Sequence, residues 1–562
     1  MLKNFIKIIS LIFLFIYLTP VYSKKIDINE FNSKDLSNYF SAIISYDNQK
    51  NDQALKFFNL SKPLIESHRP YLKRYIFSLV MEGKLGKAIS ELENNYGNKN
   101  SDFFEAYLIL SLNSIKTKSY AKAEKYLNEL YRFKDEGNVE SAIYEILKNY
   151  TYLFENKKIS ADQENLGNIS LITKAFESCY LNRESSEIYF ENLINDDGID
   201  FSRYTFFYIN YLLENNKFDY AKQLTEQIDV LNSTLLITQT KNWINKNEIK
   251  KINQIFSCKN ESDILSEFIF LLSSLYSSKE EIEKSNFYLN ISIFLNTKFK
   301  YNLSLLAENY YQIKNYIKTE KILNKFNHND GIYYWYKLKK KAQIIKKEKG
   351  EDKSFNFISS KVKKIKNPST KVLFDMGNIM KSFKKYDLSI NYYNEVIKKI
   401  DLNSESYADI LYRRGGSYER LKKYKKSDND LLKSLEIVPD DAYVLNYLAY
   451  SWLERNYNID TAIEMLEEAY KQEQNDPYII DSIGWAYYLV NDFSKAEKFI
   501  KRAVELMPSD PIVNDHYGDI LWKLDRKIQA TYYWKNVLSF KDTEEKMKKD
   551  ISIKLLKGLN NI

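Results

Sequence analysis

Side chains that could do covalent chemistry are few in this sequence of 562 residues, and they are poorly spaced for it. The three histidines, His68, His328 and His516, stand far apart, and none has a cysteine nearby or a second histidine at zinc-ligand spacing. No glycine-rich loop offers backbone amides to a phosphate. The one adjacent pair, Gly415-Gly416, sits where a close helix crossing needs a small residue. No serine occupies a nucleophile elbow, and the 75 carboxylates spread over faces that read as solvated. Catalysis, a cofactor and a metal site are not expected. The aromatic content, 47 Tyr, 32 Phe and 6 Trp, favours binding and packing instead.

The elements that must position those aromatics are helices. Only 14 Gly and 8 Pro are present, too few to punctuate a strand-rich fold with turns. Between Asp440 and Phe540 one pattern recurs every 34 or 35 residues. A small residue follows a large apolar one at Leu448-Ala449, Ile483-Gly484 and Tyr517-Gly518, with Trp452, Tyr487 and Leu521 three further on. A second small residue recurs at Ala462, Ala496 and Ala530, and Leu466, Ile500 and Trp534 lie four beyond it. Small residues let two helices approach, and the bulky partner fills the gap they leave.

This pattern resembles the tetratricopeptide repeat, a helix-turn-helix unit of 34 residues. The resemblance implies an all-α solenoid of about 11 to 14 helix pairs wound as a right-handed superhelix, in which each pair leans on its neighbours. The "LNYLAYSW", "DSIGWAYY" and "NDHYGDILW" lines are similar to those of exported tetratricopeptide proteins of Gram-negative bacteria.

Residues 1–23 carry a basic start, the uncharged run Ile8 to Leu18 and a small residue at Ser23, which reads as a secretory signal peptide. The run is short of the about 20 residues that cross a bilayer; the peptide is cleaved or kept as an anchor, and the protein is expected in the periplasm. Residues 24–330 read as degenerate repeats, marked by Ala54 with Phe58, Ala88 with Leu92, Ala123 with Leu127, Ser186 with Phe190, Ala221 with Thr225, Ser285 with Leu289 and Thr319 with Leu323. Phe133 to Asn168 breaks register, as an irregular unit or a hinge. Residues 331–370 form a basic helical or linker segment, 371–541 a well-formed array, and 542–562 a capping helix with Met547, Ile551 and Leu555 on one face. Cys179 and Cys258 are 79 residues apart, about two repeats, so they are expected to be unpaired buried thiols.

Charge adds two local features. Lys337 to Lys371 holds 13 Lys and 3 acids, a net of +10, whereas Asp440 to Lys535 carries a net of −7. The overall excess of +8 is too small over this length to argue for nucleic acid. Lys337, Lys339, Lys340, Lys341, Lys346, Lys347, Lys363, Lys364 and Lys366 form a candidate patch for anionic headgroups or an acidic partner, or a solvated helix pair.

In the family, first helices line a concave surface. Carried onto this chain, that surface receives Tyr412, Arg413 and Glu419; Tyr443, Asn446, Tyr447 and Tyr450; Tyr478, Asp481, Trp485 and Tyr488; and Asp515, His516, Asp519 and Trp522. The resemblance implies a non-enzymatic scaffold that holds a peptide or partner protein there. The sequence departs from the carboxylate-clamp relatives, which present Lys and Asn in the groove, so capture of a chain terminus by that route is not expected. A membrane-surface adaptor using the lysine patch is the alternative, an accessory domain of an enzyme a weaker one, and the bland reading is that the aromatics pack on each other or on the capping helix.

Overall fold

In the computed structural model, which describes residues 32–66, 68–195 and 203–559, the small residues of the repeat meet large ones across each helix pair. A methyl group on Gly484 would stand 2.6 Å from Ile500, and one on Gly415 would stand 3.0 Å from Leu431. Gly377 faces Tyr393 and Gly518 faces Trp534 in the same way. Ala462, Ala496 and Ala530 are fully buried with Leu466, Ile500 and Trp534. The degenerate marks behave alike: Ala54, Ala88, Ala123, Ser186, Ala221, Ser285 and Thr319 are all buried. The signal-peptide reading falls outside the described residues.

The turns carry the repeat as clearly as the helices do. Gln49, Gly83, Lys118, Asn182, Asn216, Asn247, Glu280, Lys314, Lys384, Lys422, Asn456, Asn491 and Asp525 each take a left-handed backbone at the end of a first helix. That conformation reverses the chain within a few residues and satisfies the last helical carbonyls. Asn, the side chain that tolerates it best after Gly, takes five of these thirteen positions, Gly one, and Lys, Gln, Glu or Asp the other seven, where the helices on either side impose the conformation. Among the described residues there is no strand, and the helices form fourteen pairs, a lone Asn138–Asn156 and the final Glu545–Lys557. Asn138–Asn156 accounts for the break in register: it ends at left-handed Lys157 and a non-helical segment leads to the next helix at Asn168.

The described residues divide into two units, those up to 228 with 234–337, and 229–233 with those from 338 on. In the first unit the repeats do more than touch their neighbours. Ten of the 13 residues of Phe104–Lys116 are buried, so that helix needs cover on nearly every side. Later pairs supply it. Phe287 stacks on Phe77 with ring centroids 5.0 Å apart, Lys116 donates to the Phe294 carbonyl at 2.6 Å, and Lys318 meets Glu82 at 3.0 Å.

This folding back overturns the expectation for the cysteines. Cys179 and Cys258 form a disulfide, with Cα atoms 5.9 Å apart. The two-repeat estimate assumed that each pair steps onward by a full helix spacing. Instead the short helix Lys250–Ile255 gives way to extended backbone at Phe256. The Phe256 ring then lies 5.8 Å from Phe176 and 4.6 Å from Phe207, and Asn210 donates to its carbonyl at 3.0 Å. The chain is thus led back to the helix that carries Cys179.

In the second unit five regular pairs run from Thr370–Ser382 to Lys527–Ser539. Its first helices open on side-chain caps. Asp441, Asp476 and Asp510 each accept from the two backbone amides of the following turn at 2.9–3.2 Å, and proline occupies the first helical position after the last two. Such caps stabilise by about 1 kcal/mol each and fix where the helix begins. They therefore fix which residues face the groove.

Candidate binding groove

The register set by those caps brings the first-helix aromatics into successive ranks. The Tyr412 and Tyr447 rings meet edge to face at 5.7 Å, and the Tyr447 hydroxyl donates to Glu419 at 3.2 Å. Trp485 stacks between two partners, Tyr488 at 4.6 Å and His516 at 4.0 Å. Tyr450 is half-buried; burial and the neighbouring Glu454 carboxylate raise its hydroxyl pKa. Asn446 keeps a buried carbonyl oxygen without a hydrogen-bond partner. Tyr443 and Tyr478, at the same step of consecutive helices, are 51% and 62% exposed. Their phenol rings are thus left in water at matching positions of adjacent repeats.

The carboxyl-terminal end of the same face is closed. Lys554 of Glu545–Lys557 reaches Asp515 at 2.6 Å and both oxygens of Asp519 at 2.7 Å. The Trp534 indole donates to Asp519 at 3.0 Å, and Trp522 is wedged against Trp534 and Gly558. Burial and the adjacent Asp515 push the Asp519 carboxyl up to about 6 even with Lys554 present. Burial works against the Lys554 charge, yet the two carboxylates raise its pKa. Asp515, Asp519 and Trp522 are therefore occupied from within, in place of an open groove. Glu545–Lys557 thus takes the contacts that a neighbouring pair makes elsewhere in the array.

His516 and Asp481 are likewise internal. His516 Nδ1 lies 3.0 Å from Asp481, tying one repeat to the next. Desolvation alone would depress the imidazole; the Asp481 charge and hydrogen bond, with Asp515 and Asp519 behind them, outweigh it and raise the pKa.

The tetratricopeptide repeat family model matches residues 408–441, which contain Tyr412, Arg413, the Gly415-Gly416 pair and Leu431. The chain carries tetratricopeptide repeats. A TPR repeat-containing protein of Pseudomonas aeruginosa is 31% identical over 111 residues, 20% of this chain and 19% of that protein. Anaphase-promoting complex subunit 3 of Schizosaccharomyces pombe is 21% identical over 109 residues, 19% of this chain and 15% of that protein. The chain thus matches less than a fifth of either relative's length. A thermophilic TPR protein of Thermus thermophilus superposes with a TM-score of 0.30 at 15% identity, over 34% of this chain and all of that one.

Ahead of the regular tetratricopeptide pairs, the lysine-rich segment is a helical hairpin, Ile332–Lys349 and Glu351–Val362, in which Ser354 donates to the Ala342 carbonyl at 2.6 Å. The nine lysines do not form one patch. Lys337 donates to the Phe326 carbonyl at 2.7 Å, Lys339 meets Asp375 at 2.7 Å, Lys340 is buried and Lys341 half-buried. Lys346 pairs with Glu351 at 2.5 Å. The exposed remainder lies at opposite ends of Glu351–Val362, Lys347 at one and Lys363, Lys364 and Lys366 at the other, about 18 Å apart at 1.5 Å per residue. A charge count along a helix cannot tell inward lysines from outward ones.

Repeat position puts Arg413 on the groove and gives no sign of Lys381 and Arg420, which act electrostatically on one another there. Gly416, expected with Gly415 at a helix crossing, packs against no second helix. Its faces are Lys381 and the Tyr447 hydroxyl. The paired glycines were the available signal, because the register requires only one small residue there.

Proposed function

We propose that this protein is an exported, non-enzymatic scaffold that holds a segment of a partner protein against the first helices of its 405–489 repeats. The ladder of Tyr443 and Tyr478, exposed beside half-buried Tyr412, Tyr447, Tyr450, Trp485 and Tyr488, carries the reading. Lys554 supports it from inside the molecule, since a helical segment already docks on the adjoining part of the same face. Export is supported by the amino-terminal pattern and by the Cys179–Cys258 pair, which suits an oxidising compartment.

The test uses side chains whose loss leaves the fold alone. Tyr443→Ser with Tyr478→Ser removes exposed rings and should change stability by less than about 0.5 kcal/mol. Partners captured from an envelope extract by the native protein should be lost by the double variant; equal recovery would reject the groove. Cell fractionation checks the location. The alternative, a membrane-surface adaptor, predicts flotation with anionic vesicles that depends on Lys347, Lys363, Lys364 and Lys366.

A further inference from the structure

Residues 157–167, where the repeat register breaks, leave the helix Asn138–Asn156 and reach Asn168 without forming a helix. That passage is longer than the about 2–8 residues usual between packed helices. It is nonetheless held in place. Gln163 donates to Glu177 Oε1 at 2.8 Å, the Leu166 amide donates to Ser170 Oγ at 2.8 Å, and Ile159 and Leu166 pack on the core. Between this segment and the helix pair Asn168–Tyr180 and Ser186–Ile194 lies a cavity of about 140 Å³.

The cavity has charges of both signs that lack a partner. Lys174, Glu177 and Ser178 line it from one face of Asn168–Tyr180, at the i, i+3 and i+4 spacing that puts side chains together. Arg183 lines it from the turn that left-handed Asn182 begins. Glu177 is 1% exposed, and its Oε2 has no hydrogen-bond partner. A carboxylate withdrawn from water and left half-satisfied is costly to keep. Lys174 and Arg183 are exposed and both favour the Glu177 charge, yet neither forms an ion pair with it or with any other carboxylate among the described residues. Burial outweighs Gln163 and the two cations and pushes the Glu177 carboxyl up to about 7. A molecule that satisfies both sides must carry a donating cation close to an anion. The space admits about six non-hydrogen atoms, since a cavity of about 150 Å³ accepts benzene. Glycine, alanine and serine have that size and both charges.

We propose that this cavity binds a small free amino acid as its zwitterion, the ammonium donating to Glu177 Oε2 and the carboxylate accepting from Lys174 and Arg183. Gln163 keeps Oε1, so the ligand need not displace it. The long passage between helices supplies Ile159 and Gln163 as the cover of the site. The site belongs to the first unit and does not rest on the groove, so either can fail without the other.

The test is calorimetric titration of the full chain with glycine, L-alanine and L-serine at pH 8, where Glu177 is ionised. All three should bind. Methylammonium and acetate, with one charge each, should bind at least tenfold more weakly than L-alanine, and L-tryptophan, too large for the cavity, should give no heat of binding. Arg183→Met removes an exposed cation and should weaken L-alanine at least fivefold; Lys122→Met, whose lysine is exposed on Tyr120–Tyr131, should not. Glu177→Gln keeps the shape and an acceptor for Gln163. It should resist urea at pH 8 at least as well as the native chain and still weaken L-alanine at least tenfold. No binding of the three amino acids at concentrations up to about 10 mM, weaker than any affinity worth about 3 kcal/mol, would overturn the proposal. So would acetate or methylammonium binding as tightly as L-alanine, or L-tryptophan competing with it. Unchanged affinity in either Glu177→Gln or Arg183→Met would overturn it as well, and the arginine variant decides the matter if the glutamine variant does not fold.

Discussion

Replacing Lys554 by Met tests how the array is closed. Methionine keeps an apolar stem of similar reach and removes only the ammonium, which is held at 2.6–2.7 Å by Asp515 and Asp519. The side chains of Lys554 and Asp519 are 10% and 8% exposed, so water cannot replace the lost contacts. Breaking a buried pair by removing one member costs about 3–5 kcal/mol when the other charge is stranded. Here the stranded group can escape by taking a proton, since Asp519 already sits at about 6 and rises further without the lysine. A folded pKa above the unfolded value favours folding at low pH, and that contribution is lost as pH rises through the folded pKa. The variant should therefore lose about 1 kcal/mol at pH 5 and about 3 kcal/mol at pH 8. Repeat arrays need not unfold in one step, so the local readout is amide exchange across Glu545–Lys557, with urea unfolding followed by the fluorescence of neighbouring Trp522 and Trp534. Adding Asp519→Asn removes the stranded charge and keeps an acceptor for the Trp534 indole; it should restore at least half of the loss at pH 8. A loss that does not change between pH 5 and pH 8, or a double variant as unstable as the sum of the singles, would refute the account.

Three further outcomes follow from the same geometry. Gly518→Ala drives a methyl into the rigid Trp534 indole, so it should destabilise the last pair by about 1–3 kcal/mol despite the gain in helix propensity, read as a lower urea midpoint. His516 should titrate above its ordinary 6.5 when followed by NMR. Its stabilising contribution should be complete below 6.5 and vanish as pH rises through the folded value, and His516→Gln should abolish that dependence. Reducing Cys179–Cys258, which closes a separation of 79 residues, should cost the first unit about 4 kcal/mol on the loop-entropy account, seen as a fall in its melting temperature.

How far the fold could be read from the sequence depended on whether a residue's role is local. Ala462, Ala496 and Ala530 announce a helix crossing by size alone, and so do Ser285 and Thr319, although their repeats are degenerate, because hydroxyl side chains of that volume still fit. The turns were harder, since Asn, Lys, Asp and Glu can all occupy the left-handed position once the helices on either side fix it. The disulfide depended on where Phe256 leads the chain, which no spacing reveals. Phe104–Lys116 did hold a sign of the folding back: "FEAYLILSLNSIK" is apolar on too many faces for a helix that touches only its neighbours. At the groove, position in the repeat selected the right helices and could not distinguish Tyr478, which is exposed, from Asp519, which the last helix covers.

Lys381 and Lys554 show why the two ends of one face differ. Both are lysines largely withdrawn from water, and burial presses both ammonium groups toward losing a proton. At Lys554 two carboxylates stand within 2.7 Å, the pKa rises and the helix is pinned. At Lys381 burial comes first, the Arg413 and Arg420 guanidinia add to it more than Asp409 and Glu419 offset, and the pKa falls to about 8. One end carries its counter-ion within the chain, and the other is short of one.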